Sequence, residues 1–223
     1  MKKLYLSIPL LIVGFFSQAQ IKEGTTAQIK EGVTLLGANF SVSTTSDKPD
    51  GVDKPFKSTS LGFSPSFARA IRDNLVLGVD LSFSYGKAPS QYQVNQLNSY
   101  GAGFFLRKYK TLGAGFFVFG QARVAVSYQD NQTDYSGGTT WQRTDQRNLG
   151  GSLAFAPGIA YAISRRWQLE TSVPNLASIS YNHFSSTTKI SNQPDSHDRS
   201  DTFGVTSTGN YILSLGLRYV IGG

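Results

Sequence analysis

Ser60-Leu61-Gly62-Phe63-Ser64-Pro65-Ser66-Phe67-Ala68-Arg69-Ala70-Ile71 leads through Arg72-Asp73-Asn74 into Leu75-Val76-Leu77-Gly78-Val79-Asp80-Leu81-Ser82-Phe83-Ser84-Tyr85-Gly86. On the first arm Leu61, Phe63, Pro65 and Phe67 share one parity; on the second, Leu75, Leu77, Val79, Leu81, Phe83 and Tyr85 do. A period of two over that length is the signature of strands, and the charged and amide residues between the arms read as a hairpin turn. The opposite parity is mostly Gly, Ser and Ala, where a strand facing bulk water would favour Thr, Lys and Glu. Small residues suit a face that curls into a narrow lumen, with the apolar face turned outward to lipid. The hairpin predicts a membrane barrel.

The rest of the chain repeats the theme. A first strand is expected over about 33–43 and a fourth over 97–108. A fifth begins at Phe116, with Val118, Ala122, Val124, Val126 and Tyr128 on one face. Ser152-Leu153-Ala154-Phe155-Ala156-Pro157 copies Ser60-Leu61-Gly62-Phe63-Ser64-Pro65, which makes a sixth strand, and Trp167 opens a seventh that loses register near Pro174. Leu213, Leu215, Leu217, Tyr219 and Ile221 mark the eighth. Polar stretches at 44–57, 87–96, 129–147 and 182–208 read as long loops, alternating with short turns at 72–74, 109–113 and 164–166. Outer-membrane barrels have short periplasmic turns and long external loops. The expectation is therefore an all-β, eight-stranded antiparallel transmembrane barrel of up-and-down order, with both termini periplasmic and the long loops extracellular.

Composition agrees with that class. Of the 223 residues 39% are hydrophobic, too few for a helical membrane protein but enough where only alternate residues meet lipid. The chain has no cysteine, which excludes disulfides and thiolate metal sites. Lys2 and Lys3, the apolar run Leu4–Phe16 and Ser17-Gln18-Ala19 read as a signal peptide over 1–19, cut between Ala19 and Gln20. Losing those two lysines lowers the formal charge from +7 to +5, compatible with anionic headgroups and too weak, without a basic stripe, for nucleic acid. Residues 20–32, with Gln-Ile-Lys-Glu-Gly twice, form an expected periplasmic lead-in, and 33–223 the barrel domain.

Four short motifs carry a family resemblance. They are Ser64-Pro65-Ser66 leading through Arg72-Asp73-Asn74-Leu75 to Gly78, Phe105-Leu106-Arg107-Lys108-Tyr109, Ala156-Pro157-Gly158, and Gly216-Leu217-Arg218-Tyr219. With them the chain resembles the small outer-membrane β-barrel family widespread in Bacteroidota, distantly similar to the transmembrane domain of OmpA and to OmpX. The resemblance implies a monomer in contact with outer-membrane lipid and lipopolysaccharide, and with the barrel assembly machinery during biogenesis. It also implies a structural, surface-interaction or minor porin-like role with no cofactor.

Inward parity collects Asp80, Glu170, Arg107, Arg123 and Arg218, together with Gln121 and Gln168. Ionised groups in a narrow, poorly hydrated lumen must pair, so these five are expected to plug the bore. Arg69 has outward parity beside a turn, where its stem reaches headgroups, and Trp167 and Tyr219 read as interfacial aromatics. An enzymatic alternative rests on His183-Phe184-Ser185, similar to the His-x-Ser of outer-membrane lipid A deacylases of the PagL type. Base and nucleophile would share a face, with Asp195 or Asp198 as the orienting carboxylate. No metal-ligand spacing or phosphate loop is present. A third reading, a soluble lipocalin-like ligand-binding barrel, turns the apolar parity inward.

Overall fold

The computed structural model describes residues 29–47, 56–90, 93–137, 140–191, 193–207 and 214–222. The expected signal peptide, its Ala19/Gln20 cleavage point and most of the lead-in lie outside the described residues.

Ten antiparallel strands form one sheet: β1 (Thr34–Asp47), β2 (Phe56–Arg72), β3 (Leu75–Pro89), β4 (Gln93–Gly113) and β5 (Phe116–Gly137) come first. They are followed by β6 (Thr140–Ala162), β7 (Trp167–Ser172), β8 (Ala177–Ile190), β9 (Ser196–Ser207) and β10 (Ser214–Ile221). Each of the first six strands pairs with the next, and β10 returns to β1 through Thr34↔Ile221 to Phe40↔Leu215, which closes the ring. The eight expected stations are recovered because two are split. β6 pairs β7 over Gly158–Ala162 and β8 over Gln142–Phe155, so β7 and β8 are two halves of one station. They part at 173–176, where Pro174 and the left-handed Asn175 (φ 56°) interrupt the strand as expected. β9 and β10 divide the next station in the same way, pairing β8 and β7 respectively.

The turns at one end are tight for local reasons. Asp73-Asn74 joins β2 to β3 with Asn74 at φ 60°, a left-handed conformation that Asn tolerates. Gly113, Ala114 and Gly115 all have positive φ between β4 and β5, which is why two of the three are glycine. At the β6–β7 turn the Ser164 hydroxyl accepts from the backbone N–H of Arg166 and Trp167.

Parity is as expected. On β3 the six apolar residues Leu75 to Tyr85 face outward over eleven positions, the length of a transmembrane strand. Leu77, Val79, Leu81, Phe83 and Tyr85 stay 42–49% exposed, a load of bare apolar surface that only lipid would cover. This overturns the lipocalin-like reading, which needed that face inside.

The long-loop expectation is corrected. β1 runs to Asp47, β5 and β6 stay paired up to Gly137↔Thr140, and β8 and β9 form a hairpin through most of 182–208. β5 and β6, at 22 and 23 residues, are about twice what a bilayer requires. The excess continues the barrel wall beyond the apolar band, where both faces meet water and neither parity is apolar.

The interior is stratified. At the turn end a core of Val33, Leu35, Ala68, Ala70, Val76, Phe105, Tyr109, Phe117, Phe119 and Ala160 fills the bore. Ile29 joins it, and residues 29–33 dock on the first hairpin. Ile29 exchanges hydrogen bonds with Asn74, and Gly32 N–H donates to Ala70 O at 2.9 Å. The end of the lead-in thus caps the barrel. Ion pairs lie deeper in the bore, and beyond them comes a stretch of mostly hydroxyl and amide side chains, with Asp198 of β9 on the same inward parity.

Candidate functional site

Glu170 is the centre of the lumen. β7 aims it inward, where it is 3% exposed, and Arg107 Nη1 of β4 donates to both its oxygens at 2.7 and 2.8 Å. Arg218 Nε of β10 donates to Oε2 at 2.9 Å, and the Tyr109 hydroxyl donates to Oε1 at 3.1 Å. Donors from two strands, β4 and β10, thus converge on one carboxylate of β7. The Arg107 guanidinium is further held by Gln121 Oε1, at 2.9 Å from Nε, and lies 4.2 Å over the Phe119 ring. Each charge is desolvated, so the arrangement holds because nearly every donor and lone pair is used.

Asp80 and Arg123 make a second pair, with Arg123 Nε 3.0 and 2.9 Å from the two carboxylate oxygens. All five charged residues expected in the lumen therefore point inward and are ion-paired, in two clusters rather than one. Two glycines make room. A Cβ on Gly37 would collide with the Arg218 guanidinium, which also donates to Ser66 Oγ, and one on Gly103 would sit 2.8 Å from Arg123 Nε. Gln168 is buried as expected, and its Oε1 has no partner among the described residues. Tyr109 and Ser66 were missed in the sequence, although Tyr109 shares the parity of Arg107 two residues away.

On the outer wall His183 stands at the edge of the apolar band, level in the ladder with Leu149, Tyr128 and Tyr100. Its Nδ1 lies 2.8 Å from Asp201 Oδ1, which also accepts from the Tyr181 hydroxyl at 2.9 Å. Those two hydrogen bonds, that from His183 first, hold the Asp201 carboxyl below its ordinary value. The expected carboxylates are corrected. The β8–β9 register sets Asp201 opposite His183, whereas Asp198 pairs Ser186 on the inward parity, and Asp195 precedes β9 and stands 4.0 Å from Lys189 Nζ. Ser185 does share the outward face with His183, between Arg147 and Arg199 on the flanking strands. No hydrogen bond joins Ser185 to His183 among the described residues. No group of three His, Cys, Asp or Glu fit for a metal occurs among them either.

No protein-family model matches the chain, and no curated protein does. Among solved structures the chain is similar to Neisserial surface protein A, at 18% identity and a TM-score of 0.39, over 86% of this chain and 98% of that one. It is also similar to the outer membrane protein OprG from Pseudomonas aeruginosa, at 13% identity and TM-score 0.46, over 87% and 98%. The N-terminal β-barrel domain of Pseudomonas aeruginosa OprF matches at 13% identity and TM-score 0.33, over 86% and 98%. The closed ring of this chain stands on its own hydrogen-bond ladder.

Proposed function

We propose that this chain is an integral outer-membrane barrel with a sealed bore, acting as a structural and surface-presenting element rather than as a channel. The turn end faces the periplasm with the termini, and the extended wall of β4–β6, β8 and β9 projects outside. The observation that carries the reading is Glu170, gripped by Arg107 and Arg218 from two directions. The apolar core and the docked residues 29–33 block the turn end behind it. An eight-station barrel has an interior only wide enough for side chains, so this filling leaves no aqueous path. The protein acts as a monomer whose outward band is covered by lipid and lipopolysaccharide, and the barrel assembly machinery inserts it. No catalysis or cofactor enters this role. Planar-bilayer recording of the refolded full chain tests the reading. The expected trace is silent, and regular conductance steps would overturn it.

A second reading is kept on one contact, His183 to Asp201 at 2.8 Å. It makes the outer wall an acyl-ester hydrolase site. Ser185 Oγ would attack the ester carbonyl of an outer-leaflet lipid while His183 takes the hydroxyl proton, then returns it to the departing alkoxide. Water would release the acyl group from Ser185, and Asp201 would fix the imidazole tautomer. Mass spectrometry of lipid A from cells expressing the wild type or Ser185→Ala decides. Loss of an acyl chain with the wild type alone supports the hydrolase, and identical lipid A from both rejects it.

A further inference from the structure

Charge on the outer face is unevenly shared between the two ends. At the extended end several outward basic groups stand beside acids: Arg143 Nε lies 3.1 Å from Asp145, Lys189 Nζ 4.0 Å from Asp195 and His183 Nδ1 2.8 Å from Asp201. At the turn end Arg69, Arg72, Lys108, Lys110, Arg165 and Arg166 are all exposed, and the acids described there are Glu31 and Asp73. The docked residues bring Lys30 together with Glu31, so those two cancel. Asp73 Oδ1 already accepts the Glu31 backbone N–H at 3.0 Å. Among the described residues every ion pair outside the lumen lies at the extended end.

A bulge brings three of the turn-end cations together. Strict alternation along β2, outward at Phe67, Arg69 and Ile71, would turn Arg72 inward. The register shift between Ala70 and Arg72 sets Arg72 opposite Leu75 instead, and cross-strand partners share a face. Lys108 of β4 stands opposite Leu75 on its other side. With strands about 4.8 Å apart, the Cα atoms of Arg72 and Lys108 are about 10 Å apart, so both long stems reach one small anion held between them. Arg69 lies next along β2, opposite Leu77, which Leu106 flanks in turn. Leu77 and Leu106 are 48% and 42% exposed and form the near edge of the apolar band. None of Arg69, Arg72 and Lys108 has a hydrogen-bond or ion-pair partner among the described residues. Three uncompensated cations on one rim raise the local concentration of anions.

We infer that this rim binds the phosphate of an anionic glycerophospholipid, with Arg72 and Lys108 on either side of it above Leu75 and Arg69 closing the third side. The guanidinium groups suit phosphate oxygens in forked pairs, and the lysine adds a point charge. The acyl chains then run down Leu77 and Leu106. That continuity favours a lipid over cell-wall carboxylates, because the cations share the outward face of the lipid-facing leucines. Selectivity follows from charge: a choline headgroup brings its own cation to a rim that already has three, whereas a glycerol headgroup leaves the phosphate charge for them. The inference rests on the proposed orientation only in naming the periplasmic leaflet.

The test uses the full-length chain refolded in octyl glucoside, whose headgroup has neither charge nor phosphate. It is titrated with dioleoylphosphatidylglycerol and with dioleoylphosphatidylcholine while backbone amides are followed by NMR. Saturable shifts at Arg72, Leu75 and Lys108 are expected with the anionic lipid, and at least tenfold weaker binding of the zwitterionic one. Arg72→Gln combined with Lys108→Gln should weaken binding at least tenfold and leave the unheated gel mobility of the folded barrel unchanged. Lys87→Gln, the same charge change at the far end of β3, should leave binding as it was. Equal affinity for the two lipids, shifts confined to Arg165 and Arg166, or indifference to the double variant would each overturn the proposal. So would glycerol phosphate or a soluble peptidoglycan fragment that saturates the same amides as tightly as the lipid, since the rim would then serve a water-borne phosphate or the cell wall. Thiol labelling of Ala114→Cys in intact cells reads the orientation separately. Labelling from outside together with selective lipid binding sinks the periplasmic placing of the turn end and keeps the phosphate site.

Discussion

The two ends of this barrel solve one problem in opposite ways. The turn end excludes water: Phe105, Phe117 and Phe119 pack inside while Leu77 and Leu106 face outward, and the buried charges beside them are fully partnered. The extended end is polar on both faces: Ser43, Thr45 and Asn95 line the inside, Asp130 and Arg147 the outside, and the side-chain oxygens of Asn95, Asn131 and Asn148 lack partners among the described residues. The same strands run through both ends, so a strand's backbone does not reveal its surroundings. What the comparison teaches is that energetic stakes follow dielectric, and so single substitutions should matter far more at the turn end.

The largest effect is expected at Glu170. Glu170→Ala strands Arg107 and Arg218 in a dry site, where removing one partner of a buried ion pair costs about 3–5 kcal/mol. Ser43→Ala, inward at the extended end, should stay within about 0.5 kcal/mol. Urea unfolding in lipid vesicles measures both. Equal losses would erase the contrast between the ends, and a harmless Glu170→Ala would remove Glu170 as the centre of the lumen charge cluster.

The second comparison crosses the wall rather than running along it. Val79 faces outward within the apolar band, so Val79→Arg should cost about 2–4 kcal/mol if it lies near the bilayer midplane. Asn98→Arg, outward but beyond Tyr100, should cost about 0.5 kcal/mol or less. Folding yield into vesicles of defined thickness checks the pair, and reversal of the order would place the bilayer elsewhere along the strands.

These contrasts also explain what could be read in advance. The inward parity of Asp80, Arg107, Arg123, Glu170 and Arg218 was legible because their outward neighbours are apolar: two faces in different media write alternation into the chain. Where both faces share a medium the alternation vanishes. Gln129-Asp130-Asn131-Gln132-Thr133-Asp134 is polar on both parities and reads as loop, yet it is strand paired residue by residue with β6. The converse holds at the other end. Phe116-Phe117-Val118-Phe119 is apolar on both faces, so although alternation set Phe117 and Phe119 on the parity of Gln121 and Arg123, no contrast of polarity marked the internal core they form. The Asp201 partner of His183 was illegible for the first reason, because it depends on a register between two strands that both read as loop.

A third prediction uses glycine. Gly103→Ala places a methyl 2.8 Å from Arg123 Nε and Gly37→Ala places one against Arg218, so each pushes a packed guanidinium. Such overpacking typically costs about 1–3 kcal/mol. Gly204→Ala, on the inward parity of β9, meets only Ser180 Oγ at an ordinary 3.6 Å and should be near neutral. Thermal shifts of the unheated gel band compare the three, and a Gly204→Ala loss as large as Gly103→Ala would mean that the extended end is packed as tightly as the lumen around the two ion-paired clusters.

The smallest effect is one of pH, confined to the extended end. Asp201 has its carboxyl depressed by hydrogen bonds from His183 and Tyr181, so the folded hairpin binds that proton less readily than the unfolded chain. By linkage its contribution is present in full above the ordinary carboxylate value and is lost as pH falls through the depressed folded value. Both groups are exposed, and exposed pairs contribute little, so the barrel as a whole should not register the change. The hairpin of β8 and β9 should. Its amide protons ought to exchange faster, relative to those of β2 and β3, once Asp201 is protonated. Asp201→Asn should abolish that pH dependence while leaving exchange in β2 and β3 as it was. If Asp201→Asn leaves the acid sensitivity of the hairpin intact, the His183–Asp201 contact does not persist in solution. In that case the hydrolase reading loses the one observation behind it.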